Sequence, residues 1–380
     1  MERIPMSESR FFNFNAWAVI ALTIVLSLCT SVFAAQTPPP PPNPNQAEND
    51  QNQRNRELGN RQQHEGAAVV SDDGISVLTR GPLHESFATV YVADPQPGIK
   101  IDKQPPASIE EQPPSFKPEG RNVVWIPGYW EWDEEESDFM WISGIWRDVP
   151  PKQQWVPGYW QKFEQGYRRV SGFWTDEQLE EIVYLPAPPK AVESGPSAPA
   201  PGPQYIYIPG TWEFQENQYV WRAGYWSPAR ENWVWIPDQY VWTPRGVVFV
   251  PGYWDYEIQY RGVVFAPVRF STPIYTNPSY VYTPEYAIDS DLNLLVHLFY
   301  RPDRNQYYFG DYYGTQYQNT YQSWVTARTT RTYYDPLYTY YSVPFPNRNV
   351  NLIDWIDQRH TYFVQNETLR PPRTLSDQIN

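Results

Sequence analysis

Cysteine is almost absent: the 380-residue chain holds one, Cys29, inside its N-terminal segment. No disulfide can therefore staple the rest of the chain, and thiol chemistry and Cys-ligated zinc are excluded there. Histidine is scarce as well. His64, His84, His297 and His360 are scattered without metal-ligand spacing, so each reads as a surface or core residue. Basic charge is short: 29 Lys and Arg against 43 Asp and Glu leave a net charge of −14. A nucleic-acid or anionic-membrane binder needs a basic patch to neutralise phosphate, and this balance argues against one. No Gly-rich phosphate loop follows a strand, and no Gly-x-Ser-x-Gly elbow occurs. The sequence assigns no catalytic residue, no cofactor and no metal site, and the expectation is a protein that is not an enzyme.

What is plentiful is proline, 41 residues or near twice the usual ~5% share, and aromatic side chains, 17% of the chain. So many aromatics do not fit a disordered polymer, and the combination points to short strands between stiff connections. The N-terminus reads as an export signal. Arg3 and Arg10 precede an apolar run, 16–28, and Ser31-Val-Phe-Ala34 offers a small-residue cleavage site. Residues 1–34 are therefore expected to be a signal peptide. Retention as an anchor and lipidation at Cys29 are the alternatives, although bulky Leu28 precedes that cysteine. The expected compartment is extracytoplasmic: periplasm, cell envelope or medium, with no membrane span after cleavage.

Residues 35–66, five consecutive prolines followed by Asn, Gln, Glu and Arg, form a disordered linker. Residues 67–121 are partly ordered and Pro-rich, with strands expected at 75–79 and 87–91. Beyond them one phrase recurs nine times: aromatic, aliphatic, small residue or Pro, Gly, any residue, aromatic. Its copies begin at Trp125, Trp141, Trp155, Arg169, Tyr207, Trp221, Trp235, Phe249 and Phe265, spaced 16, 14, 14, 38, 14, 14, 14 and 16 residues apart. Trp125, Gly128, Trp130, Trp141, Gly144, Trp146, Trp155, Gly158, Trp160 and Trp174 make the repeat scaffold of block one (123–176). Gly210, Trp212, Trp221, Gly224, Trp226, Trp235, Gly252 and Trp254 make that of block two (205–272). Residues 177–204 read as a linker, with a short helix expected at 176–184.

A 14-residue period fits one strand plus a turn, the rhythm of an antiparallel meander. Turns are expected at 133–137, 164–166, 215–217 and 227–232. The five-residue step between paired aromatics puts them on opposite faces of a regular strand. A one-residue bulge at the Gly would reset the alternation and bring both Trp to one face. A Pro-Gly hairpin turn, facing Trp125 against Trp130, is the alternative. Either way both sheet faces are apolar and need cover.

Residues 273–380 exchange Trp for Tyr. Alternating apolar residues predict a strand over 288–300, a hairpin turning at Gly310-Asp311, and a helix over 352–366 ended by Pro371 and Pro372. This Tyr-rich α+β region is expected to cap one sheet face. The predicted fold is mainly β: two small antiparallel meander sheets, the cap and the N-terminal linker.

The acid run Asp133-Glu-Glu-Glu136 with Asp138 lacks the spacing of a calcium loop and reads as a solvated turn. Of 18 tryptophans, 15 lie in the repeat region, and most are expected to be core. Trp132, Trp242 and Tyr256 stand seven residues after a phrase begins, where other copies carry Asp148, Lys162 or Asp176. These three are the candidate ligand contacts, as flat platforms for sugar rings.

The phrase, in register at Trp125–Trp130, Trp141–Trp146, Trp155–Trp160, Tyr207–Trp212, Trp221–Trp226 and Phe249–Trp254, resembles the YXWGXW (WXXGXW) repeats of bacterial exported proteins. The resemblance covers 123–270 and weakens at Arg169, Asp238 and Val268. It implies a secreted or envelope-associated protein and brings no catalytic residues. The expected role is structural or interactive, with a cell-envelope protein or polysaccharide as partner. A carbohydrate- or peptidoglycan-binding module is the alternative, and an outer-membrane barrel a more distant one. Homo-oligomerisation is not read from the sequence.

Overall fold

In the computed structural model eight of the nine repeated phrases are each one half of a hairpin. The structure describes residues 74–193, 195–270, 274–326, 334–346 and 351–373. The expected signal peptide (1–34) and linker (35–66) lie outside the described residues. The strands pair antiparallel in small sheets, and the fold is mainly β as expected.

Among the described residues the first eight phrases make four hairpins. In the first, Val123–Ile126 and Tyr129–Asp133 run against Ile145–Asp148 and Asp138–Ile142. The second pairs Gln153–Val156 and Tyr159–Phe163 with Phe173–Asp176 and Gly166–Val170. The third pairs Tyr205–Ile208 and Thr211–Gln215 with Tyr225–Pro228 and Gln218–Arg222. The fourth pairs Trp233–Ile236 and Gln239–Thr243 with Tyr253–Tyr256 and Gly246–Val250. Polar turns close them at 134–137, 164–165, 216–217 and 244–245. Glu216 and Asn217 both take positive φ, 46° and 66°, which matches the twist of a two-residue hairpin turn. The expected turn at 227–232 does not join paired strands; there the chain passes from the third hairpin to the fourth.

Each ladder is interrupted at the small residue and Gly, yet the offset is the same on both sides. Trp125 faces Trp146 and Trp130 faces Trp141, with two residues skipped on each strand. No residue is gained, so the bulge reading is wrong: nothing resets the alternation. The hairpin-turn alternative fails too, since Trp125 faces Trp146 and not Trp130. The two Trp of a phrase therefore enter different clusters. Trp130 and Trp141 pack with Phe139 and Val268, whereas Trp146 packs with Val123, Val263, Phe265 and Trp125.

The ninth phrase lies beside the second. Val263 faces Trp146 and Val268 faces Trp141, adding a third strand to the first hairpin. Ile75–Val77 extends one half of that sheet and Ala287–Ile288 the other. Residues 87–91, expected as a strand, form none, although Phe87, Val90 and Tyr91 are buried. No helix forms at 176–184 either.

The C-terminal region covers the fourth hairpin. Trp233, Ile236, Tyr253 and Trp254 share the largest core cluster with Leu295, Leu298, Tyr307, Leu337 and Tyr340. The expected strand over 288–300 is split. Strand Ala287–Ile288 ends at its start, Asp291 caps a short helix, Leu292–Val296, and Leu298–Arg301 is strand again. That strand turns at 302–305 to pair with Gln306–Phe309, so Gly310-Asp311 follows the hairpin rather than making it. Helix Pro336–Tyr341 begins on an Asp335 cap with Pro in its first turn, the favoured start. The expected helix near 352–366 is Leu352–Gln365, burying Leu352, Ile356 and Phe363.

Candidate functional site

The interrupted level of each hairpin is where the repeated residues converge. In the first, Trp125–Trp146 and Trp130–Trp141 meet edge-to-face across the strands at 5.3 and 5.2 Å. The same contact recurs as Tyr207–Trp226 (5.5 Å), Trp212–Trp221 (5.2 Å) and Trp235–Trp254 (5.1 Å), and in tilted form as Trp155–Trp174 (5.2 Å). This geometry sets the positive ring edge against the negative face.

In six phrases the first aromatic also lies over the Gly of the opposing phrase. A Cβ on Gly144 would stand 2.6 Å from Trp125 Cζ2, and one on Gly128 2.7 Å from Trp141 Nε1. On Gly210 and Gly252 it would stand 2.5 Å from Trp221 and Trp235. Gly172 is covered by Trp155, Gly224 by Tyr207 and Gly158 by the Arg169 guanidinium. The ring above it and the carbonyl of the opposing strand, 2.2 Å away at Gly128, together leave the Gly no room for a side chain.

Breaking the ladder frees the glycine N–H groups, and a carboxylate takes them. Glu111 accepts from Gly128 N (2.6 Å), Gly144 N (2.9 Å) and Trp141 Nε1 (3.1 Å). Burial nonetheless pushes its carboxyl above the usual range, against the pull of those three donors. Asp238, standing where other phrases have Gly, accepts from Gly252 N at 2.6 Å, and burial raises it also. In the third hairpin Glu193 accepts from Gly210 N at 2.5 Å. In the second, Glu85 lies at Gly158 and pairs with Arg169 at 2.7 Å. Arg169 thus replaces an aromatic: it sits over the Tyr129 ring at 4.5 Å and faces Trp160 across the ladder.

Between the first two hairpins opens a cleft of about 600 Å³. The indoles of Trp125 and Trp155, Pro127 and Pro157 line it, with Asn122, Gln153, Gln154, Glu85 and Glu177 as polar groups. A smaller cavity of about 190 Å³ lies at the acid run. That run is the exposed turn that closes the first hairpin, as expected, but its carboxylates are ion-paired. Asp133 pairs with Arg269 (2.5 Å), Glu134 with Arg301 and Arg304, and Glu135 with Arg80 (2.6 Å) and Arg373 (3.3 Å). Burial opposes it, but Arg301 and Arg304 hold Glu134 below the usual carboxylate range. These arginines come from remote segments, so linear sequence did not reveal them.

Of the candidate ligand contacts, Trp132 is half-buried, packed edge-to-face on Phe139 at 5.2 Å beside the smaller cavity. Trp242 is half-buried opposite Val247. Tyr256 is 5% exposed and packs on Trp233, so it offers no platform to solvent. The structure does not bring these three together: they lie on the first hairpin and on opposite strands of the fourth. His84 is buried between Ser86 Oγ (2.8 Å) and the Pro127 carbonyl (3.1 Å), and burial lowers it to about 4. Burial does the same to His297 and His360. His64 lies outside the described residues. Among the described residues no three His, Cys, Asp or Glu converge as metal ligands, and no helix is long and apolar enough to cross a membrane.

Sequence reasoning missed the clamping carboxylates. A signal was present: Glu111 and Glu193 each stand 17 residues before the Gly they hold, Gly128 and Gly210. Pro114, Ser115 and Gly120 of the first lead-in recur as Pro196, Ser197 and Gly202 in the same register. The repeat thus begins upstream of its aromatic phrase.

Three segments, 120–147, 202–227 and 230–255, match the family model for the WXXGXW repeat (2 copies). They correspond to the first, third and fourth hairpins, so the two copies of the family unit are the two strands of one hairpin. The second hairpin, with Arg169 in an aromatic position, is outside the match. No curated protein and no solved structure matches the chain.

Proposed function

We propose that this chain, a carrier of the WXXGXW repeat, is a non-enzymatic structural and interaction protein exported to the bacterial cell envelope. One observation supports the scaffold reading above others: the repeated residues are committed to one another. The aromatics form cross-strand pairs, the glycines lie beneath indoles, and the freed N–H groups hold carboxylates of the same chain. The export part rests on the N-terminal Arg3, Arg10, apolar 16–28 and Ser31–Ala34 pattern. Cell fractionation with N-terminal sequencing tests it. The expected result is a chain beginning at Ala35 in the periplasmic or envelope fraction; an unprocessed chain in the cytosol overturns it.

A second reading is carbohydrate or peptidoglycan recognition, favoured by the cleft between the first two hairpins. The indoles of Trp125 and Trp155 in the cleft lining, beside amides and carboxylates, suit a sugar's apolar face and hydroxyl rim. Binding to a glycan array or to peptidoglycan, weakened in an Asn122→Ala/Glu177→Ala double variant, is its expected outcome. A chain that binds no glycan refutes this reading and leaves the scaffold reading standing.

A further inference from the structure

The clamp of the third hairpin differs from that of the first in where it lies. Glu111 is enclosed, its segment paired in parallel with Val281–Tyr282. Glu193 is half-buried, on a proline-rich stretch whose carbonyl contacts with the third hairpin are exposed. Two of its hydrogen bonds lie outside the hairpin, Gly195 N donating to Glu193 (2.7 Å) and Ala191 N to Asp94 (2.7 Å), and the others reach the hairpin itself. Glu193 accepts from Gly210 N (2.5 Å) and from the Tyr207 hydroxyl (3.0 Å). Upstream, the Lys190 carbonyl accepts from Trp212 Nε1 (3.1 Å) and the Pro186 carbonyl from the Tyr219 hydroxyl (2.5 Å). The first hairpin repeats the pattern, with the Ala107 carbonyl accepting from Trp130 Nε1 at 2.8 Å. In both, the indole of the phrase's second aromatic holds a backbone carbonyl a few residues before the glutamate, and the Gly N–H holds the carboxylate.

We propose that the third hairpin is a peptide-binding site. Its ligand is an extended, proline-rich segment carrying a glutamate, and the occupant in trans is segment 186–193 of a second copy of this chain. The recognition chemistry follows from the two clamps. Proline keeps the segment extended and lowers the entropy lost on docking. The carbonyls meet aromatic N–H and O–H donors, and the carboxylate meets a backbone N–H that no ladder satisfies. A short segment held by a few polar contacts within its own chain can be exchanged for the identical segment of a second copy, which meets the same donors. This inference rests on the interaction part of the function proposed above and gives that interaction a ligand.

The test uses the full chain as Glu193→Ala, which empties the carboxylate position, and an end-capped peptide of residues 186–193 (Pro-Ala-Pro-Pro-Lys-Ala-Val-Glu). Titration is followed by tryptophan fluorescence and calorimetry. The expected result is saturable binding to the variant, about tenfold weaker for the peptide bearing Gln in place of Glu. The wild-type chain, with its own segment in place, is expected to bind less than the variant. Should Glu193→Ala fail to fold, the isosteric Glu193→Gln chain carries the same titration. Absence of saturable binding, or equal binding of the Glu and Gln peptides, overturns the proposal. Either result leaves the fractionation outcome, and with it the export reading, unaffected.

Discussion

Gly144 has no room for a methyl group: a Cβ there would meet Trp125 Cζ2 and Glu111 Oε2 at 2.6 Å and the Ile126 carbonyl at 2.7 Å. Two of those three atoms belong to the ring pair and the clamp, so relief would disturb one or the other. Gly144→Ala is expected to cost about 2 kcal/mol or more in urea denaturation, in the range of overpacked cores. Gly202→Ala is the control, because its nearest neighbours stand at 3.6 Å and its change should stay within about 0.5 kcal/mol. Equal costs would contradict the role assigned to the ring above Gly144. Histidine protonation belongs to the same scale. His84, His297 and His360 titrate near 4 in the folded chain because burial disfavours the cation. The unfolded chain takes up those protons near its ordinary pKa of about 6.5. Their contribution to stability is therefore full above about pH 6.5 and is lost as pH falls toward 4. Glu111, Glu131 and Asp238, raised by burial, act in the opposite sense. The direct measurement is NMR titration of each imidazole, with midpoints near 4 expected; a midpoint near 6.5 for any of the three contradicts its burial.

A hairpin of two phrases is the element that the repeat encodes. The carboxylate belongs to it as much as the Trp pairs do, because two glycine N–H groups in a nearly dry break need an acceptor. Glu111→Gln keeps the shape but turns an amide donor toward those N–H groups. A loss of about 1–3 kcal/mol is expected, with faster hydrogen exchange at Gly128 and Gly144. Unchanged exchange would show that the clamp does not hold the break. Much of this element was legible in the sequence. The phrase, its period and three of the four hairpin turns follow from aromatic spacing and polar stretches. The pairing partner did not follow, because a Trp-to-Trp step of five residues is equally consistent with a bulge or an in-register break. Only the unchanged offset across Pro127-Gly128 and Ser143-Gly144 distinguishes them. Leu292–Val296 was missed for a related reason: alternating apolar residues over a short run satisfy both periods, and the Asp291 cap decides for helix.

Across the molecule the hairpins are joined by charge buried where no water competes. Arg147 of the first hairpin donates to Asp255 of the fourth at 2.6 Å, and Arg261 approaches the other carboxylate oxygen at 3.1 Å. The same two arginines bond the carbonyls of Ser86 and Phe87. All three charged side chains are at most 2% exposed. Removing the shared carboxylate strands two cations, so Asp255→Asn is expected to cost about 3–5 kcal/mol, read from the urea midpoint. A cost under about 1 kcal/mol would mean that the hairpins are joined by apolar packing alone. These contacts were out of reach of the sequence, since Arg147 and Asp255 are 108 residues apart and neither belongs to the repeated phrase.

All of this rests on the hairpin pairing, in which aromatics meet across strands and not along them. A pair of double-mutant cycles measures that pairing most directly. Trp130→Leu with Trp141→Leu should show a coupling of about 0.5–1.5 kcal/mol, while Trp141→Leu with Trp146→Leu, neighbours within one phrase, should show almost none. Coupling within the phrase and none across the strands would contradict the account.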